Sequence, residues 1–173
     1  MRESTSKLTT QKIAIYGMMM ALTTVATMVI SIPSIATKGY INLGDALVIL
    51  SGLVLGPAGG FIVGGLGSAL ADILLSYAYY APFTFVIKGC EGLIVALLFR
   101  QVFKRKMPLA SAAVGGIFMA LGYFLVEIFM YDFPAAVASL PGNIFHGLVG
   151  AGLERDDAIV IDYQDDKVTF TKK

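Results

Sequence analysis

Six apolar windows, cut apart by prolines and glycines, leave this chain little choice of fold. They lie near residues 13 to 32, 43 to 56, 58 to 76, 82 to 103, 109 to 131, and from about 142 onward. Pro33, the turn GPAGG at 56–60, Pro82, Pro108 and Pro141 punctuate them. Lipid offers the backbone no hydrogen-bond partners, so apolar segments of about 20 residues cross it as helices. The second window is short for a full crossing and is expected to be tilted, irregular or re-entrant. Mean hydropathy of +0.77, with 57% hydrophobic and 14% charged residues, agrees with an integral membrane protein. A secretory signal is the competing reading of the N-terminus, because Lys7 and Lys12 precede IAIYGMMMALTTVATMVISI. That run is longer than a signal core and no small-residue cleavage site follows it closely, so an uncleaved first span is expected. The fold class is therefore an all-α integral membrane protein, a bundle of about six transmembrane helices.

Basic residues set the orientation. With the N-terminus cytoplasmic, Arg2, Lys7 and Lys12 lie inside, together with Arg100, Lys104, Arg105 and Lys106 between the fourth and fifth spans. Only Lys38 falls outside, as the positive-inside rule requires. On this topology Asn42 and Asp45 open the second span, Asp72 closes the third, and Lys88 and Glu91 lie early in the fourth. Glu127 is late in the fifth, and Asn143 and His146 begin the sixth. All fall in the outer half. A proton relay or ion channel needs polar groups through the full thickness, whereas a one-sided cluster suits a binding pocket that opens outward.

Lys88 and Glu91 stand out because an ionisable residue at the centre of a span costs roughly 2.5–3.5 kcal/mol on insertion scales. Thr84, Lys88 and Glu91 share one helical face at i, i+4 and i+7, Tyr123 and Glu127 are i and i+4, and Asn143 and His146 are i and i+3. The bland alternative is that Lys88 neutralises Glu91 or Glu127 and locks the bundle. Two acids, a cation, an amide and tyrosine hydroxyls suit a small polar ring compound better than a lipid. Along the first span Ala14, Gly17, Ala21 and Thr24 form a small-residue stripe that lets another helix approach closely. Gly60, Gly64 and Ser68 form a second stripe, read as internal packing. A lone Cys90 and a lone histidine leave no disulfide framework and no zinc constellation, and no phosphate-binding loop is present. Cys90 reads as a packing residue.

INLGDALVILSGLVLGPAGGFIVGGLGSALADILLSYAYYAPFTFVIKGCEGLIVALLF resembles the substrate-binding S component of energy-coupling factor (ECF) vitamin transporters, and SLPGNIFHGLVG is similar to the family's Pro-Gly-Asn opening of the last helix. The resemblance covers roughly residues 10 to 150. It implies six helices, a vitamin pocket near the outer face, and a first helix that docks through Gly17 and Ala21 on a transmembrane coupling subunit. Two ATPase subunits complete such complexes, so ATP and Mg are used by the partners and no cofactor is expected in this chain. The implied pocket includes Asn42, Tyr80, Lys88, Glu91 and Asn143. His146 departs from the pattern, since glutamine is more usual there. The sequence is closest to the branch associated with pyridoxine or hydroxymethylpyrimidine, with pantothenate next. The resemblance implies a bacterial cell membrane and no nucleic-acid partner.

The full set expected to bind substrate is Asn42, Asp45, Tyr80, Thr84, Lys88, Glu91, Tyr123, Glu127, Asn143 and His146. Ala14, Gly17, Ala21 and Thr24 are expected to bind the partner. Two rivals remain: an ion-coupled secondary transporter of a small polar metabolite, and an intramembrane serine protease using Ser68 and His146. Residues 1–153 form the expected membrane domain and 154–173 a polar tail. After Gly142 only about 12 residues precede ERDD, too few for a span, so the sixth helix reads as truncated or the tail as foreign to the fold. AIVIDYQDDKVTFTKK alternates apolar and polar residues like a strand or hairpin.

Overall fold

A computed structural model describes residues 10–29, 31–33, 40–152, 159–164 and 167–172. Arg2, Lys7 and Lys38, used above to orient the chain, and the ERDD segment lie outside the described residues. Helix α1 spans Thr10–Val29, α2 Gly44–Leu55, α3 Pro57–Leu74, α4 Ala81–Leu97, α5 Pro108–Met130 and α6 Phe133–Gly152. Between α1 and α2 the chain forms a short antiparallel pair, β1 (Ser31–Pro33) with β2 (Tyr40–Asn42). Four helices, α1, α3, α5 and α4 with its continuation to Val102, are long and apolar enough to cross a membrane. The chain is an integral membrane helical bundle.

Prolines start these helices where the missing N–H costs nothing. Pro57 and Pro108 are first residues, and Pro82 is second in α4. The sharp α2–α3 turn rests on Gly56, whose φ of 85° is open to glycine. Helix α4 ends in a π-turn, Leu98–Val102. There the Arg100 guanidinium donates to the Val54 carbonyl (3.0 Å), a cation at the C-terminal end of α2.

The sixth helix corrects the sequence reading. It begins at Phe133, runs 20 residues with Pro141 inside it, and rises about 30 Å, so it is not truncated. Pro141 marks a boundary by its sequence, but a membrane helix tolerates a proline where neighbouring helices absorb the freed carbonyl. The true start carries a signal of its own: Asp132 Oδ1 accepts from the Ala135 N–H (2.7 Å), an aspartate cap ahead of Phe133 and Pro134. The second span is short, as its window indicates. Helix α2 has 12 residues and rises only about 18 Å.

Packing rests on glycine-lined crossings. A Cβ added to Gly60 would stand 2.5 Å from the Gly92 carbonyl oxygen, and one on Gly64 would stand 2.6 Å from that of Lys88. Helices α3 and α4 therefore touch backbone to backbone, which accounts for the Gly60, Gly64 and Ser68 stripe as internal packing. Gly116 of α5 and Gly147 of α6 form the same kind of crossing. Helix α1 is more loosely held, burying Thr23, Thr24 and Thr27. The polar tail forms an antiparallel hairpin, β3 (Ile159–Gln164) with β4 (Lys167–Lys172), as its alternation suggested.

Candidate functional site

Helix α2 starts inside the bundle, and its first turn carries the key acid. Asn42, at the end of β2, accepts from the Gly44 N–H through Oδ1 (2.7 Å) and so anchors the start of the helix. Asp45 follows, buried, and its Oδ1 accepts a charge-assisted hydrogen bond from the Lys88 ammonium. Lys88 is the eighth residue of α4 and is 3% exposed. Its Nζ also lies 3.3 Å from Glu91 Oε2 and 5.8 Å from the centroid of the Tyr123 ring. Glu91 is fully buried, and its Oε1 has no hydrogen-bond partner among the described residues.

His146 closes the cluster from α6. Its Nε2 accepts from the Asn42 N–H (3.3 Å) and stands 3.3 Å from Asp45 Oδ2. One ring nitrogen cannot serve both at once: unprotonated it accepts from Asn42, and protonated it donates to Asp45. One turn away on the same helix, the buried Asn143 Nδ2 likewise lacks a partner among the described residues. His146 and Asn143 are the fourteenth and eleventh residues of α6 rather than its opening. Asn143 and His146 thus lie in the second half of α6, which corrects the expectation that they open it, while Lys88 keeps its early place as the eighth of the 22 residues Ala81–Val102.

The remaining residues form a second tier nearer the end of the bundle where α3 meets α4. Tyr123 O–H donates to Thr84 Oγ1 (3.0 Å), one turn from Lys88. Glu127 Oε2 accepts from the Ser139 hydroxyl, whereas Lys88 pairs with Asp45 and Glu91. Tyr80 is buried just before α4, its ring centroid 5.0 Å from that of Tyr79 and 6.5 Å from that of Tyr131. Burial, then the hydrogen bond to Tyr131, pushes the Tyr79 phenol up to about 12 and the Tyr80 phenol higher. Ser139 and Tyr131 were missed by sequence reasoning. Neither carries a signal until α6 is known to begin at Phe133.

The partner-facing stripe divides. Ala14, Gly17 and Ala21 are exposed, and a Cβ on Gly17 would meet nothing within 4 Å. Thr24 instead turns inward, donating to the Gly67 carbonyl of α3 (2.8 Å) seven residues, about 10 Å, further along the helix than Gly17. Ser68 is buried in the α3 stripe, a structural place that the protease reading does not need.

Fold and site together define a polytopic membrane protein with a buried, charged cluster between helices, a transport component in architecture. The family model for the ECF-type riboflavin transporter S component matches residues 7–155, and the chain belongs to that family. A protein of Pyrococcus woesei, described as an uncharacterised protein in a gap 3' region, is 40% identical over 134 residues, 75% of this chain and 90% of its own length. The thiamine precursor transporter HmpT of Lactococcus lactis subsp. cremoris is 28% identical over 141 residues, 81% of each chain. The resemblance to ECF S components read from the sequence is thereby met.

Proposed function

We propose that this chain is the substrate-capture subunit of an ATP-driven ECF-type uptake transporter in the cell membrane, with a cytoplasmic N-terminus. It binds a small water-soluble vitamin or precursor, delivered through a transmembrane coupling subunit and two ATPase subunits that use ATP and Mg. Hydroxymethylpyrimidine or pyridoxine is favoured, in keeping with the thiamine-precursor name of the Lactococcus relative. The observation that carries this reading is the buried Asp45, Lys88 and Glu91 cluster, with Glu91 Oε1 and Asn143 Nδ2 left unpartnered beside it among the described residues. A buried carboxylate oxygen and a buried amide N–H each call for a polar partner. Two carboxylates against one ammonium also disfavour an anionic ligand, which ranks pantothenate below a neutral or cationic ring.

The test is calorimetric titration of the purified chain alone with hydroxymethylpyrimidine, pyridoxine, pantothenate, riboflavin and thiamine. Tight binding of one of the first two, with uptake only when the coupling module is present, is expected. Ion-driven accumulation by proteoliposomes holding this chain alone would replace the reading with a secondary transporter.

A further inference from the structure

The turn from α4 to α5 puts bases where a chain ordinarily puts glycine. After the π-turn Leu98–Val102, Lys104 and Arg105 take φ of 46° and 63°, the left-handed region that residues with a Cβ enter only at a cost. Helices that end through this region most often use glycine there. Hydrogen bonds hold the conformation. The Phe103 N–H donates to the Leu98 carbonyl (2.8 Å), the Arg105 N–H to that of Phe99 (2.7 Å), and the Lys106 N–H to that of Phe103 (2.9 Å). Lys104, Arg105 and Lys106 are all exposed. A topological signal needs only positive charge in the loop and is indifferent to backbone conformation. Three adjacent bases held in a strained turn are instead a charged surface of fixed shape, and strain of this kind points toward a binding role.

The surroundings select the ligand. Acids of the described helices stand away from this end: Asp45 and Asp72 lie at the far ends of α2 and α3, Glu127 is late in α5, and Glu91 is more than two turns before Arg100. Apolar side chains flank the bases, with Val102 61% and Met107 51% exposed and Leu109 exposed beyond them. The turn therefore sits where the hydrocarbon around the spans gives way to headgroups. Helix α1, with its exposed small residues, packs on α2 and α3, whereas α5 packs on α4 and α6. The basic turn belongs to the α5 side of the bundle, away from the face proposed to meet a partner subunit and toward lipid. Arg100 ties the same turn to the C-terminal end of α2 through the Val54 carbonyl (3.0 Å).

We infer that Lys104, Arg105 and Lys106 form a binding site for the headgroup of an anionic phospholipid, with Val102, Met107 and Leu109 against its acyl chains. Clusters of bases beside a membrane span attract anionic headgroups, each base contributing about fivefold in occupancy. The site does not depend on the capture function proposed above. Because the turn is tied to α2, an occupied site steadies the bundle and raises its melting temperature.

The probe is phosphatidylglycerol against phosphatidylcholine with the same acyl chains, added in mixed micelles to the delipidated full chain. Native mass spectrometry reads retention and thermal melts read stabilisation. Wild-type protein retains phosphatidylglycerol about fivefold or more over phosphatidylcholine, melts higher with it, and loses the preference as salt is added. Lys104→Gly with Arg105→Gly removes two charges and relieves the left-handed backbone. In detergent alone this variant melts at or above wild type, while its lipid preference falls below about twofold. Lys104→Gln with Arg105→Gln and Lys106→Gln keeps the side-chain bulk and loses the preference as well. Equal retention of the two lipids by wild type, or an undiminished preference in either variant, overturns the site. Glycerol phosphate is not expected to displace the lipid, since it leaves the apolar flank unfilled. Displacement at millimolar concentration would make soluble phosphates the ligand and overturn the lipid assignment. Variants that keep the lipid preference but fail to co-purify with the coupling subunit would likewise overturn it, giving the turn to the partner.

Discussion

At the scale of single residues, Lys88 carries the most consequence because its buried charge is held, among the described residues, by Asp45 and Glu91. Removing one member of a buried ion pair strands the other and costs about 3–5 kcal/mol. Lys88→Met is therefore expected to abolish ligand binding and to lower the melting temperature in detergent. Adding Asp45→Asn should restore part of the stability and none of the binding, which separates the two roles by thermal melts and calorimetry on the same samples. Persistent binding in Lys88→Met would make the cluster a bundle lock. A second residue-scale expectation concerns alkali. The Tyr79 phenol is raised by burial, by its bond to Tyr131 and by nearby charges, from an ordinary value near 10 to about 12. The fold thus favours the neutral phenol, and this stabilisation is complete below about pH 10 and lost as pH rises through about 12. Absorbance at 295 nm should show late-ionising tyrosines alongside a fall in melting temperature between about pH 10 and 12. A single ordinary midpoint for all eight tyrosines would contradict it.

Helices in this bundle meet where side chains are absent, so element-scale stability depends on glycine. A branched side chain at Gly60 would push its Cβ to about 2.5 Å from the Gly92 carbonyl, and backbone on both sides has no room to give. Gly60→Val is expected to cost more than the usual 1–3 kcal/mol of overpacking and to abolish folded monomer on size-exclusion chromatography. Arg100 offers a gentler test at the far end of the same helix trio. Its bond to the Val54 carbonyl holds the C-terminal end of α2, the helix that carries Asp45. Such a cation contributes about 0.3–2 kcal/mol. Arg100→Met should accordingly lower the melting temperature by a few degrees, and a rise would show that the guanidinium strains the α2–α3 turn instead.

For the whole molecule, the proposed division of labour is between an inner cluster that binds and an exposed face of α1 that docks. Ala14, Gly17 and Ala21 are exposed on α1, and bulk at Gly17 meets open space. Gly17→Leu with Ala21→Leu should leave melting temperature and vitamin binding unchanged. The same variant should fail to co-purify with the coupling subunit, because small residues are what allow two membrane helices to approach. Retained assembly and ATP-dependent uptake would show that the stripe faces lipid. Thr24 is a useful contrast, since its hydroxyl bonds α3, and changing it tests the bundle rather than the partner face.

Local chemistry made much of this protein legible before any coordinates. Apolar runs fix where helices cross lipid, since each backbone must satisfy itself, and helical spacing puts Thr84, Lys88 and Glu91 on one face. The alternation in the tail announced its hairpin. Asp45 stands out as a site residue by its sequence but without its partner, because Asp45 and Lys88 are 43 positions apart and spacing reports only neighbours on the same element. Glu127 was offered to Lys88 on charge alone, yet Ser139 reaches it, because α6 begins at Phe133 and carries that hydroxyl back along α5. Proline misled in one direction only, marking Pro141 as an edge when neighbouring helices made it an interior residue. Which residues are polar, small or apolar is written along the chain, but which of them meet is decided by the crossings of glycine-lined helices, and those exist only once the bundle has packed.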